Sequence, residues 1–321
     1  MTQAYDSRGF RLASSDAAAL SACNAGVEGY NDWRADAVGH LDAAMQADPG
    51  FALPKIAKAW ILHMGRSTTF ADKIEQLTAQ AQACLDPTIE RDCALLAALR
   101  VASTGCGIEA ATILEAHLLR HPTDLLAHRL VQFELFWNGR AAWMLDIIER
   151  AAPHWSADVE GYGAYLSCRA FANEESGNYA DAERHGRHAV SINPTDVWGA
   201  HAVAHVLVMQ ARIAEGADWL QGLSGNWEEA NQLRHHLWWH LCLFLLERGE
   251  HDRILELLTS QIRNPDSSLI KAVPDATIDL QNFASLLLRL ELRGVDVSAH
   301  WDTMADICAG RIHNHANAFA W

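Results

Sequence analysis

Sustained alternation of apolar and polar residues, the mark of a half-buried strand, is missing from this 321-residue chain. Several catalytic signatures are missing too. There is no Walker lysine loop, no GxGxxG and no GxSxG elbow, and Gly105-Cys106-Gly107 lacks both a third glycine and a preceding strand. Chemistry on ATP, dinucleotides or an α/β-hydrolase scaffold is therefore not expected. The seven cysteines, Cys23, Cys84, Cys93, Cys106, Cys168, Cys242 and Cys308, are scattered without CxxC spacing. That pattern fits reduced thiols rather than a disulfide framework or a cysteine-bound zinc. Basic charge is short, with 25 lysines and arginines against 40 acids and a net charge of −15. Such a field repels nucleic acid and anionic membrane surfaces. The start, MTQAYDSRGF, has no apolar segment of a secretory signal. The longest apolar run, around Leu241 to Leu246, is far too short for a bilayer span and sits between His240 and Glu247. The expectation is a soluble, acidic, cytoplasmic protein with neither nucleic-acid nor membrane partners.

Helical periodicity runs through nearly every segment, and its punctuation repeats. Pro49, Pro122 and Pro194 each follow an alanine- or leucine-rich helix, 73 and 72 residues apart. That is about two helix–turn–helix repeats of the tetratricopeptide kind. Pro122-Thr123-Asp124 and Pro194-Thr195-Asp196 place the same capping side chains before the next helix. In the clearest unit, Asp158 to Pro194, Ala170, Ala182 and Ala189 allow close packing, and Gly177 supplies a left-handed turn that Gly249 repeats. His117 stands where Pro122 would be preceded by alanine. The spacing predicts helix pairs near 15–48, 53–85, 88–120, 124–152, 158–192, 196–223, 227–263 and 278–320, with a loop from Arg263 to Thr277 that includes Pro265, Asp266, Pro274 and Asp275. No helix pair buries its apolar face alone, so the fold class expected is all-α, a right-handed superhelical solenoid of tetratricopeptide-like helix pairs forming one domain over residues 1–321. Trp33, Trp60, Trp137, Trp143 and Trp155 are expected in its core. The apolar end, Ala316 to Trp321, lacks a polar cap, which predicts either a homo-oligomer contact there or further natural residues.

The chemistry gathers between Asp196 and Gly249. His201/His205 and His236/His240 are two pairs spaced four apart, and Trp238 and Trp239 lie inside the second. Residues four apart share a helix face. With 17 histidines in the chain, about one such pair arises by chance, and there are three, counting His117/His121. The segments Trp198 to Gly216, His236 to Leu246 and Ser285 to Val297 resemble the tetratricopeptide repeat protein 38 family. The resemblance covers most of the chain and implies a divergent helical solenoid with a site, without naming a reaction. It implies that His201, His205, His236 and His240 occupy the family's histidine positions and that Glu174 or Glu175 stands where an acid occurs. It also implies that members continue past the point matching Trp321.

Three readings of this stretch stay open. A divalent transition metal held by His201, His205, His236 and His240 is one, since neutral imidazoles ligate such ions and an i, i+4 pair can chelate. No HExxH motif supports a zincin-type protease. A metal-free concave pocket for a small molecule or peptide is the second. In it the histidines act as acid and base, or bind an anion, Glu174 or Glu175 orients an imidazole, and Trp198, Trp238, Trp239, Arg289 and Asp279 make ligand contacts. Either would also serve hydrolysis or proton transfer on a small polar metabolite. The third is structural: rings that only bridge helices through satisfied hydrogen bonds. Smaller expectations go with these. His235, about 100° around the helix from His236, should point elsewhere. Asp279 should cap its helix or meet Arg289, Glu291 and Arg293 should face solvent, and His313 and His315 should be surface residues near the chain end.

Overall fold

The computed structural model describes residues 4–272 and 278–309. Their secondary structure is 17 α-helices and one small ribbon, so the protein is all-α. The ribbon, β1 (Ala4–Tyr5) and β2 (Arg11–Leu12), sets Ala4 opposite Leu12 and Tyr5 opposite Arg11. It is too short for alternation to announce it. Its turn is held by charge: Arg8 pairs with Glu28, and Arg91 bonds Asp6 at 2.6 Å.

The helices follow as antiparallel pairs. They are α1 (Ala17–Asn31) with α2 (Ala37–Ala47), α3 (Leu53–Met64) with α4 (Ala71–Cys84), α5 (Glu90–Ala102) with α6 (Gly107–Leu118), and α7 (Leu125–Trp137) with α8 (Ala141–Ala151). Next come α9 (Tyr162–Glu175) with α10 (Tyr179–Ile192), α11 (Val197–Met209) with α12 (Ile213–Leu223), and α13 (Leu233–Glu247) with α14 (His251–Leu257). A short α15 (Ser268–Ala272) precedes α16 (Ile278–Leu292) and α17 (Ser298–Ala309). First helices begin at Ala17, Leu53, Glu90, Leu125, Tyr162, Val197 and Leu233, a step of 35 to 37 residues, so this is a tetratricopeptide-like helical repeat. The first seven expected pairs are present, and of the eighth, expected over 278–320, α16 and α17 are described as far as Ala309. The loop expected over Arg263 to Thr277 contains α15, and Pro274 and Asp275 lie outside the described residues, as do His313, His315 and Ala316 to Trp321. No helix is long and apolar enough to cross a membrane among the described residues.

Two compact units divide the chain: Met1–Met64 with Phe70–Ala202, and Gly65–Thr69 with Val203–Trp321. In the first, the expected caps form. Asp124 accepts from the Ala127 N–H at 3.2 Å, and Asp196 accepts from Trp198 and Gly199 at 3.0 and 2.9 Å. Gly177 turns α9 into α10 at φ +79°, and Ala170, Ala182 and Ala189 are fully buried. Trp60 and Trp155 are core residues, with the Trp60 indole donating to Leu95 O and Trp155 stacked on Tyr165. Trp33 and Trp143 are half-buried. Trp137 corrects the expectation: it is 55% exposed. Its neighbour Phe136 takes the inward position against Phe171, and one residue further around the helix faces out.

In the second unit, α14 runs on through a π turn, Leu258–Ile262. Its tightest packing is α12 on α13. A Cβ on Gly216 would come within 2.2 Å of the fully buried Phe244 ring. Gly216→Ala is therefore expected to overpack this contact. The cost, about 1–3 kcal/mol, outweighs the ~0.5–1 kcal/mol that alanine gains over glycine in a helix. Urea unfolding should show the loss, and adding Phe244→Leu should recover part of it. A Gly216→Ala protein as stable as the parent would contradict this packing.

Candidate metal centre

Within the second unit, α13 carries LRHHLWWHLCLFLLE, so it is apolar nearly all round and its imidazoles are enclosed by neighbours. Successive residues diverge by 100°, which sorts them by direction. His235 turns to the π turn, where its Nδ1 lies 2.6 Å from Gln261 O. Trp238 meets Trp227 edge-on at 5.3 Å. His236, Trp239 and His240 share the remaining face, Trp239 stacking on His236 at 5.0 Å. His235 is thus kept apart from His236, as expected.

Three imidazoles then converge. The His240 Nε2 lies 3.1 Å from His205 Nε2, and equally 3.1 Å from His236 Nε2. One ring nitrogen from each of the three lies within 4.8 Å of the others. His205 comes from α11, and His201 precedes it by one turn on that same helix. His240 is buried, whereas His205 and His236 keep part of their surface open.

The tautomers follow from the partners. The Asn282 side-chain oxygen on α16 only accepts, and it lies 3.0 Å from His236 Nδ1. His236 therefore donates from Nδ1 and turns the lone pair of Nε2 inward. Burial pushes the pKa of His236 down to about 4, against the raising effect of that hydrogen bond, so the ring is neutral near pH 7. The Nε2 of His240 faces two other Nε2 atoms, and its one hydrogen or one lone pair points along a single direction. A cation between the rings would accept all three lone pairs at once. Metal–nitrogen bonds of ~2.0–2.1 Å imply nitrogen separations of about 3.3 Å in a tetrahedral site and about 2.9 Å in an octahedral one. The observed 3.1 Å falls between them.

The third histidine pair shows what a structural pair looks like. The His117 and His121 rings, in the first unit, lie 4.7 Å apart and tilted, but each Nε2 meets a carboxylate, Asp124 at 2.8 Å and Glu90 at 3.0 Å. Among His205, His236 and His240, by contrast, imidazole nitrogens face one another.

The other expected site residues separate. Trp239 donates to Ser285 Oγ at 3.2 Å, and Arg289 lies over its ring at 5.9 Å. Asp279 sits in the first turn of α16 and pairs with Arg263 rather than Arg289. Ten residues of helix, about 15 Å, separate it from Arg289. Trp198 belongs to the first unit's core, 3% exposed, bonded to Gln132 and stacked on Trp33 at 4.7 Å, with the His201 ring 4.9 Å away. Glu174, buried, and Glu175, half-buried, end α9 in the first unit. Glu291 is exposed and accepts from Trp301, while Arg293 pairs with Glu247. Sequence reasoning missed Asn282 as a partner of the site. Its signal was there, since Asn282, Ser285 and Arg289 fall three and four residues apart on one side of the helix.

No family model matches the chain. Among solved structures, the crystal structure of the P58(IPK) TPR domain is similar over 94% of this chain and 83% of that one, at 10% sequence identity and a TM-score of 0.25.

Proposed function

We propose that this helical-repeat protein binds a small ligand through a divalent transition-metal ion held by the Nε2 atoms of His205, His236 and His240. The convergence of those three nitrogens carries the reading. Hydrogen bonding among neutral imidazoles pairs them two at a time, whereas a metal ion binds all three along their lone pairs. Asn282 would fix the His236 ring in the ligating tautomer, the role an outer hydrogen-bond partner plays for a metal-bound histidine. Trp239 would wall the same side. Three protein ligands leave a coordination position for water or a ligand group. Membership of the tetratricopeptide repeat protein 38 family and a cytoplasmic location belong to the same proposal. The matching segments around His201 to His205 and His236 to His240 support the first.

The deciding experiment is elemental analysis of untagged protein purified without chelators, followed by titration with Zn(II), Co(II) and Fe(II). About one equivalent per chain is expected, lost in a His201→Ala/His205→Ala variant. Absence of binding after each metal is added back would overturn the reading.

A further inference from the structure

Resting on that metal centre, we propose that its ligand is an anion, a small carboxylate-bearing molecule whose acid group is gripped by Arg289 while another polar group reaches the ion. Arg212, Arg248, Arg263 and Arg293 in the same unit each pair with a carboxylate, Glu215, Glu250, Asp279 and Glu247, whereas Arg234 bonds the Glu228 carbonyl and the Ser267 hydroxyl. Arg289 instead gives its Nη1 to Ser285, bonding both the Ser285 carbonyl at 3.0 Å and its hydroxyl. Among the described residues no ion pair engages Arg289, and its Nε and Nη2 have no hydrogen-bond acceptor.

The half-buried guanidinium lies over the Trp239 ring at 5.9 Å, and the same indole stacks on His236 at 5.0 Å. Ser285 bonds both Arg289 and the Trp239 indole, so one hydroxyl aligns the two side chains. A guanidinium held by one nitrogen keeps the fork of Nε and Nη2 for two parallel bonds to a carboxylate. Charge points the same way. Three neutral imidazoles leave the double charge of a divalent ion uncompensated, and Arg289 adds a third positive charge one ring away. An anionic ligand neutralises both.

The test uses the Co(II)-loaded full chain, whose visible bands report ligation of the ion. It is titrated with the α,ω-dicarboxylates from succinate to suberate and with monocarboxylates of the same lengths. At least one dicarboxylate is expected to bind about tenfold tighter than its monocarboxylate, as a charged bidentate contact would give. Arg289→Gln should remove that advantage and leave Co(II) affinity unchanged, with Arg289→Lys intermediate. Equal affinities of the two series in the parent protein, or an advantage that survives in Arg289→Gln, would overturn the assignment and leave the metal centre standing. Weakened Co(II) binding in Arg289→Gln would also overturn it, as a residue shaping the histidines. Failure of the parent protein to bind Co(II) at all would remove the centre, and this inference with it.

Discussion

Replacing His240 by alanine is expected to abolish metal binding while the protein stays folded. His240 is the middle member of the cluster, 3.1 Å from each of the other two nitrogens, so its loss removes the ligand that both others adjoin. Loss of an outer hydrogen-bond partner costs metal affinity about 10- to 100-fold, and loss of a ligand should exceed that. The expected order of damage by calorimetric titration is therefore His240→Ala first, His205→Ala and His236→Ala next, and Asn282→Ala last. Stability supplies an independent readout. Metal at 100 times its Kd stabilises the folded protein by about 2.7 kcal/mol, which is roughly 5–10 °C in Tm for a cooperative unit of 150–250 residues. That increment should appear in the parent protein and vanish in His240→Ala. If the metal-free variant instead collapses while the parent shows no metal-dependent shift, the imidazoles are packing elements and the structural reading is the better account.

The folding pattern was legible because its signals are local. A proline, a cap and a glycine suffice to end one helix and begin the next, and Asp124, Asp196 and Gly177 do what their positions imply. The steps of 35 to 37 residues follow from those stops. Features that depend on a neighbouring helix were harder. Trp137 looks like core by composition, yet Phe136 takes the inward place. Asp279 finds Arg263 because the chain after α14 returns to the start of α16, a return no spacing rule encodes. At the site, the i, i+4 pairs were visible, but so was His117/His121, and the sequence could not tell them apart. The difference lies in what faces each Nε2, a carboxylate in one case and another imidazole in the other.

That contrast makes the His117 side a sharp test of buried charge, because Asp124 does three jobs at once. It caps α7 through the Ala127 N–H, it accepts from His117 Nε2 at 2.8 Å, and its charge faces Arg91. Burial pushes the carboxyl pKa up, but the His117 hydrogen bond, the Arg91 charge and the capped N–H outweigh it and hold the pKa at about 2. Asp124→Ala removes the cap and strands a buried imidazole, while Arg91 keeps its bond to Asp6. A loss of about 3–5 kcal/mol in urea unfolding is expected, the usual cost of breaking a buried pair from one side. Asp124→Asn keeps an acceptor for the cap without the charge and should lose less. The sign with pH follows from a folded pKa below the unfolded value of 3.8. The charge contribution is complete above pH 3.8 and disappears as pH falls toward 2, where the carboxyl is protonated in both states. A difference of nearly two pKa units corresponds to about 2 kcal/mol. The stability gap between parent and Asp124→Asn should therefore be constant from pH 7 to 5 and narrow below pH 4. A gap that stays constant as the protein is acidified, or an Asp124→Ala protein within ~1 kcal/mol of the parent, would show that the carboxylate is only a helix cap.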